Sequence, residues 1–532
     1  MDAAADRSGS SVGARMGVLL GAIIVQLILG TVYGYSIFWQ PLTAEIFPPV
    51  VTEVELAGAP APEGALVVAD AAERQLRIAE QQGYLKYAFS ICILSFAVVM
   101  VLAGRIQDVT GPRLPAFIGA ALMGLGFLVA GLMNNPVVFL LGHAAFVGAV
   151  TIVLLMIARV ILSSPRIDRA AMETPVQLGV TAAAIVAGVV LAQRYVGQQG
   201  ELDKLFVLWG TIGFLAGAGI GFAYVCPIAA LVKWFPQHKG LVSGLAVAGF
   251  GFGAYLFKGR TIGALGFIEQ HGVTDFFFVH ALVCFVGVSI GAMLLRNPPA
   301  QNPASRPGAG APPAESAWQS TLRNPSFYVL WTMFFSGAMA GLMVIGIVKV
   351  FAGEQLLGAA REVNPDLSEM ETADLLLKGA AAVGWLAIFN AVGRIAWGFV
   401  SDRIGRTSAF VAMFTLQAIM MFLLASMRTE LSLAVAASIV GFNFGGNFAL
   451  FPSATADLFG SKNLGVNYGF VFTSYGIAGV VGIAAGNAAK TATGSYGLAF
   501  TVAGALCLLS AGLAIGLAIS QRRAAERIAQ PA

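Results

Sequence analysis

The stretch Gly104-Arg-Ile-Gln-Asp108-Val-Thr-Gly111-Pro-Arg113 returns later in the chain as Gly398-Phe-Val-Ser-Asp402-Arg-Ile-Gly405-Arg406. Both copies keep the pattern Gly-x-x-x-Asp-x-x-Gly, and each copy joins two long apolar segments. A pattern that recurs in the same setting indicates two related halves. We therefore expect a chain that arose by internal duplication.

A second pair of segments supports the duplication and reveals an insertion. Glycines lie six residues before and 13, 17 and 24 residues after both Pro227 and Pro452. These glycines are Gly221, Gly240, Gly244 and Gly251 in the first half, and Gly446, Gly465, Gly469 and Gly476 in the second. Asp402 follows Asp108 by 294 residues, whereas Pro452 follows Pro227 by 225. The N-terminal half therefore contains 69 additional residues between Asp108 and Pro227.

The composition is that of a membrane protein. Apolar residues make up 58% of the chain and charged residues 11%, and the mean hydropathy is +0.80. A soluble domain would carry about 25% charged residues. Apolar runs of about 20 residues recur along the chain, and each can cross a hydrocarbon core about 30 Å thick as a helix. The lipid bilayer is thus the expected surroundings.

The apolar runs predict an all-α integral membrane protein with about fourteen transmembrane helices. The predicted spans are 14–40, 84–104, 114–133, 136–161, 178–196, 205–231, 240–257, 276–295, 325–352, 379–399, 407–426, 431–456, 465–488 and 496–518. Two of them, 136–161 and 178–196, fall in the additional residues. An inserted pair preserves the orientation of everything downstream, so six plus six helices become eight plus six. We expect the first run to remain as a helix, because no small-residue cleavage site follows it.

Charges in the loops predict the orientation and the domain limits. Basic residues of the short loops all fall on one side, which is then cytoplasmic together with both termini. They are Arg105, Arg113, Arg166, Arg169, Lys233, Lys239, Arg306, Arg323, Arg403, Arg406, Arg522, Arg523 and Arg527. Two acid-rich loops, 45–80 and 354–374, lie on the other side.

The predicted units are an N-terminal bundle (1–296) with an inserted pair at about 134–198, a proline-rich cytoplasmic linker (297–322), a C-terminal bundle (323–520) and a cytoplasmic tail (521–532). We expect this multi-pass chain in a cell inner membrane or plasma membrane.

The reactive residues do not form a pattern typical of an enzyme. The four cysteines lie singly in apolar runs without the spacing of a metal or redox motif, and the four histidines are scattered. There is no glycine-rich phosphate loop after a strand and no nucleophile elbow. The net charge of +4 is not clustered. We expect no enzyme activity, no cofactor, no metal and no nucleic acid partner.

Arg394 is the strongest candidate for contact with a substrate. It lies in an apolar run eight residues, or about 12 Å, before Asp402. A guanidinium at that depth costs several kcal/mol unless it meets water or an anion. Asn390 lies one turn earlier on the same helix face, and a planar fork of donors suits a carboxylate. The alternative is that Arg394 extends to the inner surface and pairs with an acid such as Asp402.

Further polar residues fall within the spans or at their ends. Cavity candidates are Tyr33, Tyr35, Tyr224, Asn443 and Asn447. A membrane-embedded tyrosine or asparagine is about as often a contact between helices as a ligand, so both roles remain open. A gating role is predicted for the loop motifs, in which glycine permits close approach and aspartate caps a helix or pairs with arginine. These residues are Gly104, Arg105, Asp108, Gly111 and Arg113, and Gly398, Asp402, Arg403, Gly405 and Arg406.

These motifs carry a family resemblance. The repeated loop pattern resembles the signature of the major facilitator superfamily. Three stretches resemble the oxalate:formate antiporter family, namely Gly30-Thr-Val-Tyr33-Gly-Tyr35-Ser, Lys233-Trp-Phe-Pro236 and Phe389-Asn-Ala-Val-Gly-Arg394. The resemblance implies two helical bundles that rock about a central anion site. It also implies that Arg394 is the carboxylate anchor, as an arginine of this helix is in that family and in the related monocarboxylate transporters.

Departures from the family pattern narrow the expected substrate. Oxalate-specific members have a second cation, a lysine, at the position that aligns with Tyr475, which is a further candidate for contact with the substrate. One fixed positive charge suits a monoanion, so we expect a small monocarboxylate such as formate, lactate or pyruvate. Coupling to protons or to a counter-anion stays open. The alternatives are a carrier of a drug or neutral solute, with Arg394 structural, and a membrane anion sensor that does not transport. We expect a monomer.

Overall fold

The computed structural model describes residues 2–56, 60–62, 64–135, 200–257, 263–299 and 315–529, together with the single positions 138, 151, 179, 182, 183 and 186. The predicted inserted pair at about 134–198 lies outside the described residues, except for 134, 135 and those single positions. Most of the predicted linker likewise lies outside the described residues.

Twelve long helices form the described part of the chain, and we number them α1 to α12. They are α1 (Asp2–Leu29, continued by a 3-10 segment, Gly30–Phe38), α2 (Ala71–Thr110), α3 (Arg113–Gly131), α4 (Glu201–Leu208, a π-helical segment Trp209–Ala216, and Gly217–Trp234), α5 (Lys239–Phe257), α6 (Val273–Leu294), α7 (Pro325–Val363), α8 (Ala380–Ile404), α9 (Arg406–Leu424), α10 (Glu430–Phe459), α11 (Leu464–Thr493) and α12 (Gly497–Ala529). Eleven are long and apolar enough to cross a membrane, and the apolar part of α5, Lys239–Gly253, is shorter. The predicted all-α membrane fold is thereby confirmed.

Short elements fill the connections between the long helices. They are the helices Trp39–Ile46, Glu53–Leu56, Ala264–His271, Trp318–Arg323 and Glu369–Lys378, and a two-stranded parallel sheet of β1 (Val50–Thr52) and β2 (Leu66–Val68). Helices α2 and α7 have 40 and 39 residues. At 1.5 Å per residue each is about 60 Å long, roughly twice the thickness of the hydrocarbon core. These two helices therefore extend beyond the membrane on the side of the acid-rich loops.

The long helices pack as two groups. In the first half, α1 packs on α4, α5 and α6, α2 packs on α4, and α3 packs on α4 and α6. In the second half, α7 packs on α10, α11 and α12, α8 packs on α10, and α9 packs on α10 and α12. The main contacts between the halves run along α2 with α11 and along α5 with α8. Any movement of one half against the other must rearrange these two helix pairs.

The repeated glycines explain the close approach of those pairs. A Cβ atom on Gly104 would collide with the backbone of Gly465, and a Cβ on Gly398 would collide with the backbone of Gly240. Small residues let helix backbones touch in a membrane. Both contacts lie at the end of the molecule that carries Asp108 and Asp402, which we call the motif end.

Exposed apolar side chains mark the lipid-facing surface. On α6, Leu282, Phe285 and Met293 are each exposed, and comparable residues occur on α9 and α12. Apolar surface on this scale is unusual for a soluble monomer. A bilayer would cover it, in agreement with a multi-pass membrane protein.

Candidate functional site

Arg394 lies in the centre of the molecule and is fully buried. Its Nε donates to Asn390 Oδ1 at 3.1 Å, and its Nη1 donates to the carbonyl oxygen of Val247 at 2.7 Å. Its Nη2 has no hydrogen-bond partner among the described residues. Asp402 instead binds backbone amides of α5 and the guanidinium of Arg406. The alternative in which Arg394 reaches the surface and pairs with Asp402 is therefore wrong.

Aromatic rings enclose the guanidinium. The Arg394 Cζ atom is 4.4 Å from the centroid of the Phe448 ring and 5.6 Å from that of Phe250. Ring faces attract a cation without neutralising it. Gly244 gives α5 the room to approach, because a Cβ there would collide with the Arg394 carbonyl oxygen. The guanidinium thus keeps its net charge inside a mostly apolar interface between α5, α8 and α10.

Four tyrosines interact electrostatically with Arg394. They are Tyr33, Tyr224, Tyr468 and Tyr475, from the 3-10 segment, α4 and α11. The hydroxyls of Tyr33 and Tyr475 are 2.7 Å apart and hydrogen bonded. Because Tyr33 belongs to the first half and Tyr475 to the second, this bond joins the two bundles directly beside the charge.

Two further tyrosine hydroxyls are buried next to each other. Tyr224 and Tyr468 are fully buried, and their side chains interact with each other as well as with Arg394. Two hydroxyls that bond to each other use one of their two protons and keep the other as a donor. Together with Arg394 Nη2 this pair provides donors around one positive charge. This arrangement can bind the oxygens of a small anion.

Tyr468 was not among the residues singled out from the sequence. Its spacing contains a signal, because Tyr468 and Tyr475 are seven residues apart and therefore share one face of α11. Phe472 lies between them on that face and packs on both rings, with centroid distances of 5.6 Å to Tyr468 and 4.8 Å to Tyr475. Phe96 of α2 closes the same wall against Tyr224 at 4.9 Å.

Three of the sequence candidates lie away from this group. The Tyr35 hydroxyl donates to the Leu85 carbonyl oxygen at 3.3 Å, inside the first bundle. Asn443 accepts from Trp397 at 3.2 Å and donates to Gln417 at 3.1 Å, so it links α8, α9 and α10.

Asn447 packs against α7, where a Cβ on Gly337 would lie 2.6 Å from its Oδ1. Its side-chain nitrogen donates to carbonyl oxygens of its own helix. The contacts of Tyr35 and Asn443 are those of residues that hold neighbouring segments together, whereas Asn447 bonds within its own helix and its Oδ1 has no hydrogen-bond partner among the described residues. Sequence spacing places such residues at a depth but does not say which neighbour their helix face meets.

The loop aspartates bind across the two halves at the motif end. Asp108 accepts hydrogen bonds from the backbone amides of Gly465 and Val466 at 3.0 and 2.9 Å. Asp402 accepts from the amides of Gly240 and Leu241 at 2.9 and 2.8 Å. Each carboxylate thus caps the first turn of a helix from the opposite half, where the helix dipole favours negative charge. We call these two contacts the motif caps.

Arginines of the motifs have different roles on the two sides. Arg406 donates to Asp402 at 2.6 Å and to Asp457 at 2.9 Å, and Lys239 donates to Asp457 at 2.7 Å. Arg113 donates to the Leu295 carbonyl oxygen at 2.8 Å.

Two motif arginines donate no hydrogen bond to a cap among the described residues, although the charge of Arg105 acts on Asp108. Arg105 is exposed, and Arg403 lies over the Phe399 ring at 3.9 Å. Gly111 and Gly405 end α2 and α8 with positive φ values of 89° and 87°, which favour glycine.

The chain is similar to known transport proteins. The family model described as Major Facilitator Superfamily matches residues 176–373 and 363–531. An Escherichia coli protein described as an uncharacterized MFS-type transporter, YhjX, is 24% identical over 463 residues, which cover 87% of this chain and 85% of that protein. Apicoplast pyruvate carrier 1 of Toxoplasma gondii is 29% identical over 345 residues, 54% of this chain and 61% of the carrier. The oxalate:formate antiporter of Oxalobacter formigenes is 28% identical over 350 residues, 65% of this chain and 76% of the antiporter.

Solved structures with the same fold have much lower identity. A bacterial homologue of the iron transporter ferroportin in its outward-facing state superposes with a TM-score of 0.52 at 13% identity, covering 94% of this chain and 98% of that one. A double-tryptophan mutant of XylE also has a TM-score of 0.52, at 12% identity, with 93% and 94% coverage. At these identities the likeness concerns the fold alone.

Proposed function

The chain belongs to the major facilitator superfamily and is a membrane transporter of a small molecule, and on that premise we propose that it carries small monocarboxylate anions by alternating access. The substrates are of the formate, lactate and pyruvate type. Similarity to a pyruvate carrier and to an oxalate:formate antiporter supports this substrate class.

The observation that carries the proposal is the unpaired charge of Arg394. Among the described residues its hydrogen bonds go to the neutral oxygens of Asn390 and Val247, its Nη2 has no hydrogen-bond partner, and no carboxylate forms an ion pair with it. A buried cation without an acid is unfavourable unless an anion joins it. An arginine cannot lose its proton to relieve the strain, so a carboxylate that enters the site provides the missing charge.

Tyr475 supports a substrate with one negative charge. Its phenol, hydrogen bonded to Tyr33 beside Arg394, is neutral and cannot balance a second carboxylate. The surrounding rings of Phe96, Phe250 and Phe448 leave an apolar wall that suits a short carbon chain. A dianion such as oxalate would leave one charge unpaired in this wall.

Transport requires the site to open alternately to the two sides. At the motif end, both caps and both glycine contacts hold the halves together. In this proposal the motif end faces the cytoplasm, as do both termini, because the basic loops lie there. Opening toward the cytoplasm then breaks the caps, and the two bundles of a single monomer suffice to enclose the substrate.

Uptake into proteoliposomes tests the proposal. Labelled formate, lactate, pyruvate and oxalate are offered to the wild type, to Arg394→Gln and to Arg361→Gln, whose arginine is exposed at the end of α7. We expect saturable uptake of the monocarboxylates, loss of at least about a hundredfold in Arg394→Gln because a buried charged contact is removed, and little change in Arg361→Gln. A trans anion and a pH gradient are imposed separately, which distinguishes exchange from proton symport.

Other outcomes would contradict the proposal. Uptake that survives in Arg394→Gln would show that the guanidinium is structural. A folded wild type that binds carboxylates without flux would be a sensor, and one that ignores all carboxylates would carry a neutral solute.

A further inference from the structure

The helix α1 loses its regular geometry next to the central site. After Leu29 the chain continues as a 3-10 segment over Gly30–Phe38. A 3-10 helix has three residues per turn and is rarely this long without a functional or steric reason. Part of the reason is Gly30, whose Cβ would collide with the Phe250 backbone of α5. This segment carries Tyr33 to its contact with Tyr475.

A histidine of α6 holds the other side of that segment. The Nε2 atom of His280 lies 3.2 Å from Thr31 Oγ1, and His280 is almost completely buried. The Thr31 hydroxyl already donates its proton to the Ile28 carbonyl oxygen at 2.8 Å. With that proton used, the Thr31 oxygen accepts from the ring, so we assign His280 the tautomer in which Nε2 carries the proton and donates it.

Aromatic neighbours fix the His280 ring in this orientation. The Phe127 ring meets it edge to face at 4.5 Å, and the Phe276 ring stacks on it at 5.6 Å. Phe276 also packs on Phe38, at the far end of the 3-10 segment. The His280 ring is thus held by packing, and His280 and Phe276 together contact both ends of the segment.

A second irregular helix faces the same place. The π-helical segment Trp209–Ala216 of α4 contributes Ile212 to a small cavity that Thr31 and His280 also line. The Ser95 hydroxyl of α2 accommodates the irregular backbone by donating to the Phe214 carbonyl oxygen at 2.8 Å. Helix irregularities concentrate where function requires a particular geometry. Here the 3-10 segment and the π-helical segment both border the buried contact between Thr31 and His280.

We propose that His280 is a positioning residue for the central anion site. It donates to Thr31, this bond fixes the 3-10 segment, and the segment places the Tyr33 hydroxyl beside Arg394 and Tyr475. Thr31 and Tyr33 lie on different faces of the segment, because residues repeat a face every three positions. The face that carries Thr31 contacts the interior of the bundle, and the face that carries Tyr33 contacts the substrate site. The inference rests on the proposed function, since it assigns His280 a role in binding the carried anion.

The variants His280→Leu and His280→Gln test this role. Leucine fills the space but cannot donate, whereas the Gln amide can reproduce the Nε2–H donor. In His280→Leu we expect the KM for pyruvate or lactate to rise about tenfold with the maximal rate within about twofold, because ground-state positioning is lost. His280→Gln should keep the KM near that of the wild type.

A double variant tests whether His280 acts through Tyr33. In the background Tyr33→Phe, His280→Leu should raise KM no further, because both changes act through the contact of the Tyr33 hydroxyl with the site. Cys284→Ala, which removes the other neighbour of Nε2 at 3.4 Å, is the matched control.

A readout that needs no substrate separates this inference from the proposed function. Hydrogen–deuterium exchange of the peptide that covers residues 30–38 should accelerate in His280→Leu and not in His280→Gln or Cys284→Ala. This result with no carboxylate uptake by the wild type would contradict the proposed function and leave the positioning role standing. Equal behaviour of the leucine and glutamine variants, or additive effects with Tyr33→Phe, would overturn the positioning role.

Discussion

At the residue scale, the central site contains the charge of Arg394, which no carboxylate among the described residues pairs with. Arg394 contacts rings and neutral oxygens, and tyrosine hydroxyls surround it. In the proposed function, this fork of donors in an apolar wall favours a planar carboxylate over a point anion. In the same proposal, the neutral Tyr475 limits that preference to one negative charge.

The substitution Tyr475→Lys should admit a second negative charge. A lysine there would place an ammonium near Arg394, so the variant should gain saturable oxalate uptake. Its affinity for formate should fall about tenfold, because a monoanion leaves the new ammonium unpaired in an apolar site. Uptake of both anions into proteoliposomes measures the change. Tyr475→Phe, which loses the hydroxyl without adding charge, is the control and should not take up oxalate. If Tyr475→Lys folds and still rejects oxalate, the monoanion argument fails.

At the element scale, glycines decide how closely the helices of the two halves approach. Gly104 meets Gly465 backbone to backbone where α2 crosses α11, whereas Gly384 of α8 has open space where its Cβ would be. A methyl group should therefore have opposite consequences at these two positions, although both lie in apolar helices.

Gly104→Ala should weaken closure of the motif end. Overpacking of this kind costs about 1–3 kcal/mol, which should shift the molecule toward the state in which α2 and α11 separate. Spin labels are attached at the exposed positions Thr110 and Lys462 in a background without the four native cysteines. Double electron–electron resonance then measures the distance between the two labels. The longer distance should become more populated in Gly104→Ala and remain unchanged in Gly384→Ala. Equal distance distributions in the two variants would contradict this account of the glycine contact.

At the scale of the whole molecule, the two motif caps are related by the internal repeat. Asp108 of the first half caps α11 of the second, and Asp402 of the second half caps α5 of the first. If the halves move as rigid bodies, opening the motif end breaks both caps in one step. Both caps then stabilise the closed state in the same equilibrium between a closed and an open motif end.

The variants Asp108→Asn and Asp402→Asn test this coupling. Each substitution should remove about 1 kcal/mol of stabilisation from the closed motif end. The population with an open motif end should then rise about fivefold. The double variant should raise it about twenty-five-fold, because the two energies add for one common transition. The same spin-label distance provides the measurement, and Asp366→Asn, on the exposed opposite end, is the control. A double variant that opens no further than one single variant would show that the caps do not share one motion.

The amino-acid sequence by itself determined the membrane setting, the duplicated plan, twelve of the predicted helices and the deep position of Arg394 in its helix. These follow from properties local to the chain: apolar runs must satisfy their own backbone bonds in lipid, and a buried guanidinium stands out in any such run. Only the tertiary structure decided that Tyr468 joins Arg394 while Asn443 and Asn447 do not, and that each loop aspartate caps a helix of the other half. Helical spacing tells which residues share a face, but which helix that face meets depends on how the two bundles pack.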